Sequence, residues 1–262
     1  MSIYKKCYLP SFLLTTFVAF IALFAASTAT AKTIKIGSNS HKVIGTVNAS
    51  IDGKKYQMYT LEGKGFGDDG SSAVWGTIEA AMDKMSDQMP DIMDSLTEQL
   101  TPEQQEQIKK LFGNSENGNP LLDAMKAFGG AAIMDNVNVE IYALSEKTKK
   151  IMGDDSLSIS VTFNADEDPS SKVGESISAD ITYVKTGSEG MMPEVFYVSD
   201  EDHKMTTVKF KELTFGETSG NAKGSFEGEL CRMERATMMQ GPNFNDCIEV
   251  SGTFDTKLKP QK

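Results

Sequence analysis

The chain of 262 residues carries 26 basic and 37 acidic side chains, 39% hydrophobic residues and three cysteines. Its net charge of −11 opposes binding to nucleic acid or to anionic lipid headgroups, because both are polyanions. The length suits one large domain or two small ones with a sizeable core.

The N-terminal segment 1–31 has the order of a cleavable secretory signal peptide. Two lysines precede an apolar run at 17–26, and a small-residue site ending at Ala31 follows. The run is shorter than the roughly 20 apolar residues that a spanning helix needs. We predict cleavage between Ala31 and Lys32, export to the periplasm or the extracellular space, and no transmembrane segment in the mature chain. Cleavage removes two lysines and no acidic residue, which leaves 24 basic and 37 acidic residues and a net charge of −13.

Residues 32–66 have the composition of strands. Two β-forming runs, 46–51 and 56–61, flank the dipeptide Asp52-Gly53. Glycine accepts the positive φ that a tight hairpin turn requires, so this pattern predicts a β-hairpin. Several glycines between Gly63 and Gly70 then interrupt the pattern.

Residues 73–134 change to a helical composition, with capping signals such as Thr101-Pro102. We predict an inserted group of three or four short helices. Four methionines recur there at helical spacing: Met82, Met85, Met89 and Met93. That stripe is interpreted first as a packing face, with a docking groove and a copper(I) site as alternatives. The segment contains no histidine or cysteine, and we predict no metal or cofactor.

Residues 137–258 return to strict apolar–polar alternation, most clearly at 156–163, 177–183, 226–230 and 248–254. This pattern is typical of antiparallel sheets with one buried face. A change of phase near Lys211-Glu212 predicts a β-bulge. We predict a mainly β (α+β) fold, an antiparallel β-sandwich or barrel with the helical insertion, as a single domain spanning 32–262.

Cys231 and Cys247 are the two cysteines of the mature chain, since Cys7 lies in the signal peptide. An exported chain meets an oxidising compartment, where such a pair is expected to form a disulfide. The bond would close a hairpin in which Leu230 faces Ile248 and Gly228 faces Val250. The same register sets Glu229 opposite Glu249, which is unfavourable for like charges, and a local bulge could separate them.

Other candidate sites are weak. The stretch 164–175 places Asn164, Asp166, Asp168 and Glu175 at calcium-loop positions, but Pro169 stands where the loop needs glycine, so we interpret it as a solvated acidic loop. His41 and His203 are interpreted as surface or strand-end residues. No nucleophile elbow, zinc-protease motif, phosphate loop or dinucleotide glycine pattern occurs in the sequence.

These observations favour a soluble, exported protein that is not an enzyme and that binds an unknown ligand or envelope protein. The helical insertion and the loop 232–246 would form the contact surface, because that segment has a high apolar content for a loop. The candidate contacts are Met82, Met85, Met89, Met93, Met238, Met239 and Phe244. The alternatives are a carbohydrate hydrolase of the envelope with paired carboxylates, and a metal-handling protein that uses the methionine stripe.

Overall fold

A computed structural model describes residues 32–66, 70–77, 135–148, 155–185, 194–200 and 203–261. They belong to one compact unit, Ala31–Lys262. The predicted signal peptide and most of the predicted helical insertion lie outside the described residues. So does the predicted methionine stripe, Met82, Met85, Met89 and Met93.

Strands dominate the described chain, which confirms a mainly β fold. The twelve strands are β1 Thr33–Ile36, β2 Asn39–Ile51, β3 Lys54–Glu62, β4 Ala73–Thr77, β5 Val137–Ser145, β6 Ser156–Phe163, β7 Ser176–Ser178, β8 Asp180–Val184, β9 Val195–Val198, β10 Thr207–Thr214, β11 Gly220–Glu234 and β12 Asn243–Pro260. Short 3-10 helices cover Pro169–Lys172 and Arg235–Gln240.

All twelve strands belong to one sheet. The pairings are antiparallel except that of β4 with β12. Following neighbours from β11 leads through β12, β2, β3, β5, β6, β8 and β9, and β9 pairs again with β11. The hydrogen-bonded neighbours therefore form a complete circuit.

Two local sequence signals produce the structures that they predict. Asp52 and Gly53 have φ values of 49° and 72° and join β2 to β3, with Ile51 paired to Lys54. The register of β10 against β11 shifts between Phe210 and Glu212, where the bulge was expected.

The prediction that the helical insertion begins at residue 73 is wrong. Ala73–Thr77 is the strand β4, which pairs with β5 and lies parallel to the end of β12. Trp75 is a residue of this strand, and its ring packs 4.7 Å from that of Phe215. Alternation is weak in so short a segment, whereas backbone pairing on both of its edges holds it extended. Residues 78–134 lie outside the described chain.

The core follows the predicted alternation. In β6 the apolar side chains Leu157, Ile159, Val161 and Phe163 are each at most 2% exposed. They belong to a large cluster of buried residues that also includes Val47 of β2 and Phe254 of β12. A smaller cluster of Ile34, Ile36, Tyr59, Leu61 and Leu144 lies under β1.

His41 lies near the start of β2, which agrees with the strand-end interpretation, but the alternative of a surface residue is wrong. It is fully buried, and the ring of Phe66 contacts it edge-on with 5.3 Å between centroids. Neither ring nitrogen has a hydrogen-bond partner among the described residues.

The described part of the chain contains no helix with the length and apolar character needed to cross a membrane.

Candidate functional site: the disulfide end of the β11–β12 hairpin

The predicted disulfide is present. Cys231 and Cys247 are bonded with an S–S distance of 2.02 Å and a Cα–Cα distance of 3.9 Å. The register is also the predicted one, with Leu230 facing Ile248 and Gly228 facing Val250. Strand alternation puts both sulfurs on the face that carries the polar residues, so the bond lies beside the side chain of Glu229.

Glu229 does face Glu249 across the hairpin, and no bulge separates them. The expected repulsion is relieved in a different way. Glu229 Oε1 lies 3.0 Å from His203 Nε2, and Oε2 accepts a hydrogen bond from Lys204 Nζ at 3.4 Å. The hydrogen bond from His203 is the main cause that lowers the pKa of the Glu229 carboxyl below its usual value of 4.5. The side chains of His203 and Lys204, which lie between β9 and β10, therefore stabilise the carboxylate of Glu229.

The bulge in the hairpin lies one step beyond the disulfide. Cys231 pairs with Cys247, whereas Arg232 pairs with Asn243, so residues 244–246 are extra on β12. The backbone N–H of Asn245 donates to Asn243 Oδ1 at 3.1 Å. Arg232 and Asp246 form an ion pair at 3.3 Å. These contacts hold the extra residues in place, and they present Phe244 to the outside.

His203 reaches the disulfide from the connection between β9 and β10. Its backbone N–H donates to Asp200 Oδ1 at 3.1 Å. The imidazole stacks on Phe244 with 4.7 Å between centroids and an interplanar angle of 18°. Its Nε2 lies 3.9 Å from Cys247 Sγ as well as 3.0 Å from Glu229. Stacking on Phe244 therefore sets the plane of the imidazole ring, and the contact with the Glu229 carboxylate sets the direction of Nε2.

One group of metal-ligating side chains converges in the described part of the chain. It consists of His203, Glu229, Cys231 and Cys247, whose ligand atoms all lie within 4.8 Å of one another. Cys231 is buried, while the side chains of His203 and Glu229 are 33% and 23% exposed. We call these four residues the disulfide cluster. Solvent reaches it from the outer face of the sheet.

Exposed apolar side chains lie beside the disulfide cluster. Phe244 is 47% exposed and Met205 is 59% exposed, and only Val173 is a further large hydrophobic residue of this kind in the ranges described. Met205 also lines a shallow groove of roughly 470 Å³ together with Lys204, Glu227 and Glu249. The lining of the groove therefore combines the apolar side chains of Met205 and Val250 with two carboxylates and one ammonium group.

A group of three tyrosine rings lies near the disulfide end of the hairpin. Tyr183 is buried, and its ring lies 6.2 Å from that of Tyr56 and 6.5 Å from that of Tyr197. Burial is the main cause that raises the pKa of Tyr183 above its usual value, and a hydrogen bond with Tyr56 adds to it. Tyr197 of this group lies on β9 opposite Arg232, one residue beyond the disulfide.

The other predicted site residues fall into two groups. Met82, Met85, Met89, Met93 and the side chains of Met238 and Met239 lie outside the described residues. Phe244 is described and lies at the disulfide cluster. The backbone of Met238 and Met239 belongs to the 3-10 helix Arg235–Gln240 at the hairpin tip.

The candidate calcium stretch is organised by its own contacts. Asp168 Oδ1 accepts a hydrogen bond from the backbone N–H of Ser170 at 2.9 Å and so caps the 3-10 helix. Lys172 forms ion pairs with Glu167 at 3.0 Å and with Glu175 at 4.0 Å. These carboxylates therefore stabilise the loop, which agrees with its interpretation as an acidic surface loop.

A hydrolase would need a carboxyl group with a raised pKa and a second carboxylate beside it. Burial raises the pKa of Glu140 on β5 above 4.5. Its cross-strand neighbours are Val74 and Ser160, neither of which is acidic. The paired-carboxylate alternative therefore stays a prediction without support from this residue.

Comparison of the chain with protein-family models, with curated proteins and with solved structures finds no match. The class of protein is therefore defined by its own features: a mainly β chain whose last hairpin is closed by a disulfide and carries a histidine–carboxylate pair at the bond.

Proposed function

We propose that the protein is exported after cleavage between Ala31 and Lys32 and acts as a non-enzymatic binding protein of the cell envelope. The signal-like order of the segment 1–31 supports export. The bonded cysteines are consistent with an oxidising compartment. The net charge of −13 after cleavage makes a protein partner a better match than nucleic acid or an anionic membrane.

We propose further that the sheet closes as a barrel and serves as a rigid scaffold. The complete circuit of strand pairings supports a barrel over a sandwich, since a sandwich of two sheets leaves unpaired edges. The described part of its interior is filled by buried side chains such as Phe163, Phe210 and Phe254. Because these side chains occupy that space, the binding surface belongs on the outside.

The observation that carries the proposal is the pair of exposed apolar residues at the disulfide end, Phe244 and Met205. Exposed apolar patches bordered by polar groups are typical of protein interaction sites. Phe244 has little freedom, because it stacks on His203 and lies in the bulge. A preoriented aromatic side chain loses little entropy on binding and so makes a good anchor.

The groove beside Met205 indicates the chemistry of the partner. Glu227 and Glu249 line it, while Lys204 is held by Glu229. We propose that the partner is an envelope protein that inserts an apolar side chain next to a lysine or arginine. The apolar side chain would contact Met205 and Phe244, and the cation would lie near the two carboxylates.

The predicted helical insertion is left out of this surface. The strand residues that flank it are Thr77 and Val137, which pair with each other. Two residues before Thr77, Trp75 pairs with Pro260. Pro260 is the last residue of β12, whereas Cys247 lies near the start of that strand. The strand residues that flank 78–134 and the hairpin tip therefore lie at opposite ends of β12, and the proposal rests on the hairpin tip alone.

Photocrosslinking in the native envelope tests this surface. A photoreactive residue at position 244 or 205 should give a defined adduct to one protein. Position 173 is the matched control, because Val173 is 38% exposed and lies on the loop after the 3-10 helix Pro169–Lys172. Phe244→Ser combined with Met205→Ser should reduce the affinity for that protein at least tenfold. Equal adducts at all three positions, or none at 244 and 205, would reject the surface.

A further inference from the structure

We infer that the disulfide cluster becomes a zinc site when the Cys231–Cys247 bond is reduced. This goes beyond the proposed binding function and differs in place from the methionine stripe. Two thiolates, one imidazole and one carboxylate are a ligand set that Zn²⁺ accepts in a tetrahedral arrangement. The four residues come from three separate segments, and the fold already brings them together.

The disulfide itself is the main obstacle to a tetrahedral ion at this place. Tetrahedral Zn²⁺ with bonds of about 2.0–2.3 Å separates its ligand atoms by roughly 3.3–3.8 Å. His203 Nε2 already lies 3.0 Å from Glu229 Oε1 and 3.9 Å from Cys247 Sγ. The two sulfurs are far too close to act as separate ligands, because they are bonded to each other, whereas the other ligand atoms already lie within 4.8 Å and need smaller shifts. Breaking that bond lets the sulfurs separate to the distance that the ion requires.

The surroundings hold the side chains of Glu229 and His203 in the orientation that the site needs. Lys204 Nζ holds Glu229 Oε2 at 3.4 Å, which leaves Oε1 directed to the centre of the cluster. Phe244 stacks on the imidazole and limits rotation of its ring. Outer contacts that orient ligands in this way are a regular feature of metal sites. Partial exposure of His203 and Glu229 gives the ion a route from solvent.

The redox step balances with a dithiol as reductant. A thiolate of the dithiol attacks Sγ of Cys247, the less buried cysteine, and Cys231 leaves as a thiolate. The second thiol of the dithiol then displaces Cys247, which gives two protein thiols and the oxidised dithiol. Binding of Zn²⁺ releases the two thiol protons, and the proton that His203 Nε2 donates to Glu229 moves to Nδ1 or to solvent so that Nε2 can bind the ion. The ion thus occupies the reduced protein, and the disulfide excludes it.

Zinc titration of the reduced and oxidised full exported protein tests the site. The bond is reduced with a phosphine, which is removed without air, and Zn²⁺ is titrated against a chromogenic chelator. Reduced protein should bind one Zn²⁺ per chain, and oxidised protein none. Native mass spectrometry should give the same stoichiometry. Equal binding by both forms, or no binding by reduced protein, would overturn the inference.

Variants separate this four-ligand site from a site made by two thiolates alone. His203→Ala and Glu229→Gln should each weaken Zn²⁺ binding by the reduced protein about tenfold or more. Glu249→Gln is the matched control, because Glu249 faces Glu229 across the hairpin but lies outside the disulfide cluster. The Zn²⁺ affinity of this control should stay within about twofold of wild type. Wild-type affinity in both His203→Ala and Glu229→Gln would refute the assignment.

A second readout does not depend on how well the variants fold. Zn²⁺ that binds only folded protein raises the unfolding midpoint of reduced wild type. Co²⁺ in its place should show sulfur-to-metal charge transfer and the visible bands of a tetrahedral ion. An unchanged midpoint with zinc, or an octahedral cobalt spectrum, would show that the folded hairpin does not form the site.

Discussion

The two long hairpins of the sheet are neighbours, yet they close at their tips in different ways. The β2–β3 hairpin turns in two residues, Asp52 and Gly53, both in the left-handed region. The β11–β12 hairpin ends in a long tip with a 3-10 helix, a bulge and a disulfide. The turn of the first donates its Asp52 N–H to the Glu249 carbonyl of the second at 2.9 Å. A local turn is enough to close a hairpin, whereas the covalent tip also presents side chains.

The largest effect should come from removing the bond that closes the long tip. Cys231→Ala with Cys247→Ala should lower the free energy of unfolding by about 3 kcal/mol, because the bond closes a loop with a sequence separation of 16. Urea unfolding at neutral pH measures the change. Wild type treated with a reductant in a metal-free buffer is the control and should lose a similar amount. A loss below about 1 kcal/mol would mean that the long strand pairing alone holds the tip.

At the tight turn of the β2–β3 hairpin, a substitution should lower stability only through the backbone conformation that it strains. Gly53 has φ of 72°, and a side chain added there meets no atom within 4 Å. Gly53→Val should therefore cost about 1–2 kcal/mol through the left-handed conformation. Lys54→Val, at the adjacent exposed strand position, is the control and should be close to neutral. Thermal unfolding of both variants gives the comparison, and an equal effect of the two would contradict the backbone origin.

A smaller effect is expected at the bulge. Arg232 and Asp246 form an ion pair at 3.3 Å with both side chains more than a third exposed. Exposed pairs contribute about 0–1 kcal/mol, so Asp246→Asn should change the free energy of unfolding by less than about 0.5 kcal/mol. Asp255→Asn breaks the exposed pair with Lys223 on the same two strands and serves as the control. A loss at Asp246 several times larger than the loss at Asp255 would indicate that the bulge depends on its ion pair.

The smallest effect is expected in acid, on the contribution of Glu229 to the stability of the folded chain. The folded pKa of Glu229 lies below 4.5, mainly because of the hydrogen bond with His203. A lowered pKa contributes stability that is present above about 4.5 and is lost as the pH falls through the folded value. Carboxyl NMR titration should place Glu229 below 4.5 in wild type and higher in His203→Ala. An unchanged titration in that variant would remove His203 as the cause.

Much of the second hairpin could be predicted from its residues. Alternation in 226–230 and 248–254 assigned the buried face, and matching apolar residues set the register. The cysteines confirmed the same register independently, because they sit at directly paired positions. The bulge was placed wrongly, since the sequence shows the opposed glutamates but not the groups that neutralise one of them.

His203 was missed as a site residue for a related reason. It lies 26 positions before Glu229 and 44 before Cys247 along the chain. Its neighbours in sequence are acidic, and this composition is typical of a surface loop. The pairing of β9 and β10 with the same edge of β11 brings the connection between them over the disulfide. A long-range contact of this kind leaves no periodic signal.

The sequence by itself determined the mainly β character, the Asp52-Gly53 turn, the bulge in β10 and the disulfide with its register. Each depends on the side-chain period of two, on backbone conformations that few residues adopt, or on cysteines at facing positions. Only the tertiary structure decided that β4 is a strand, that His41 is buried beside Phe66 and that His203 meets Glu229 at the disulfide. Those outcomes depend on which distant segments cover a residue, and that is set by strand order in the whole sheet.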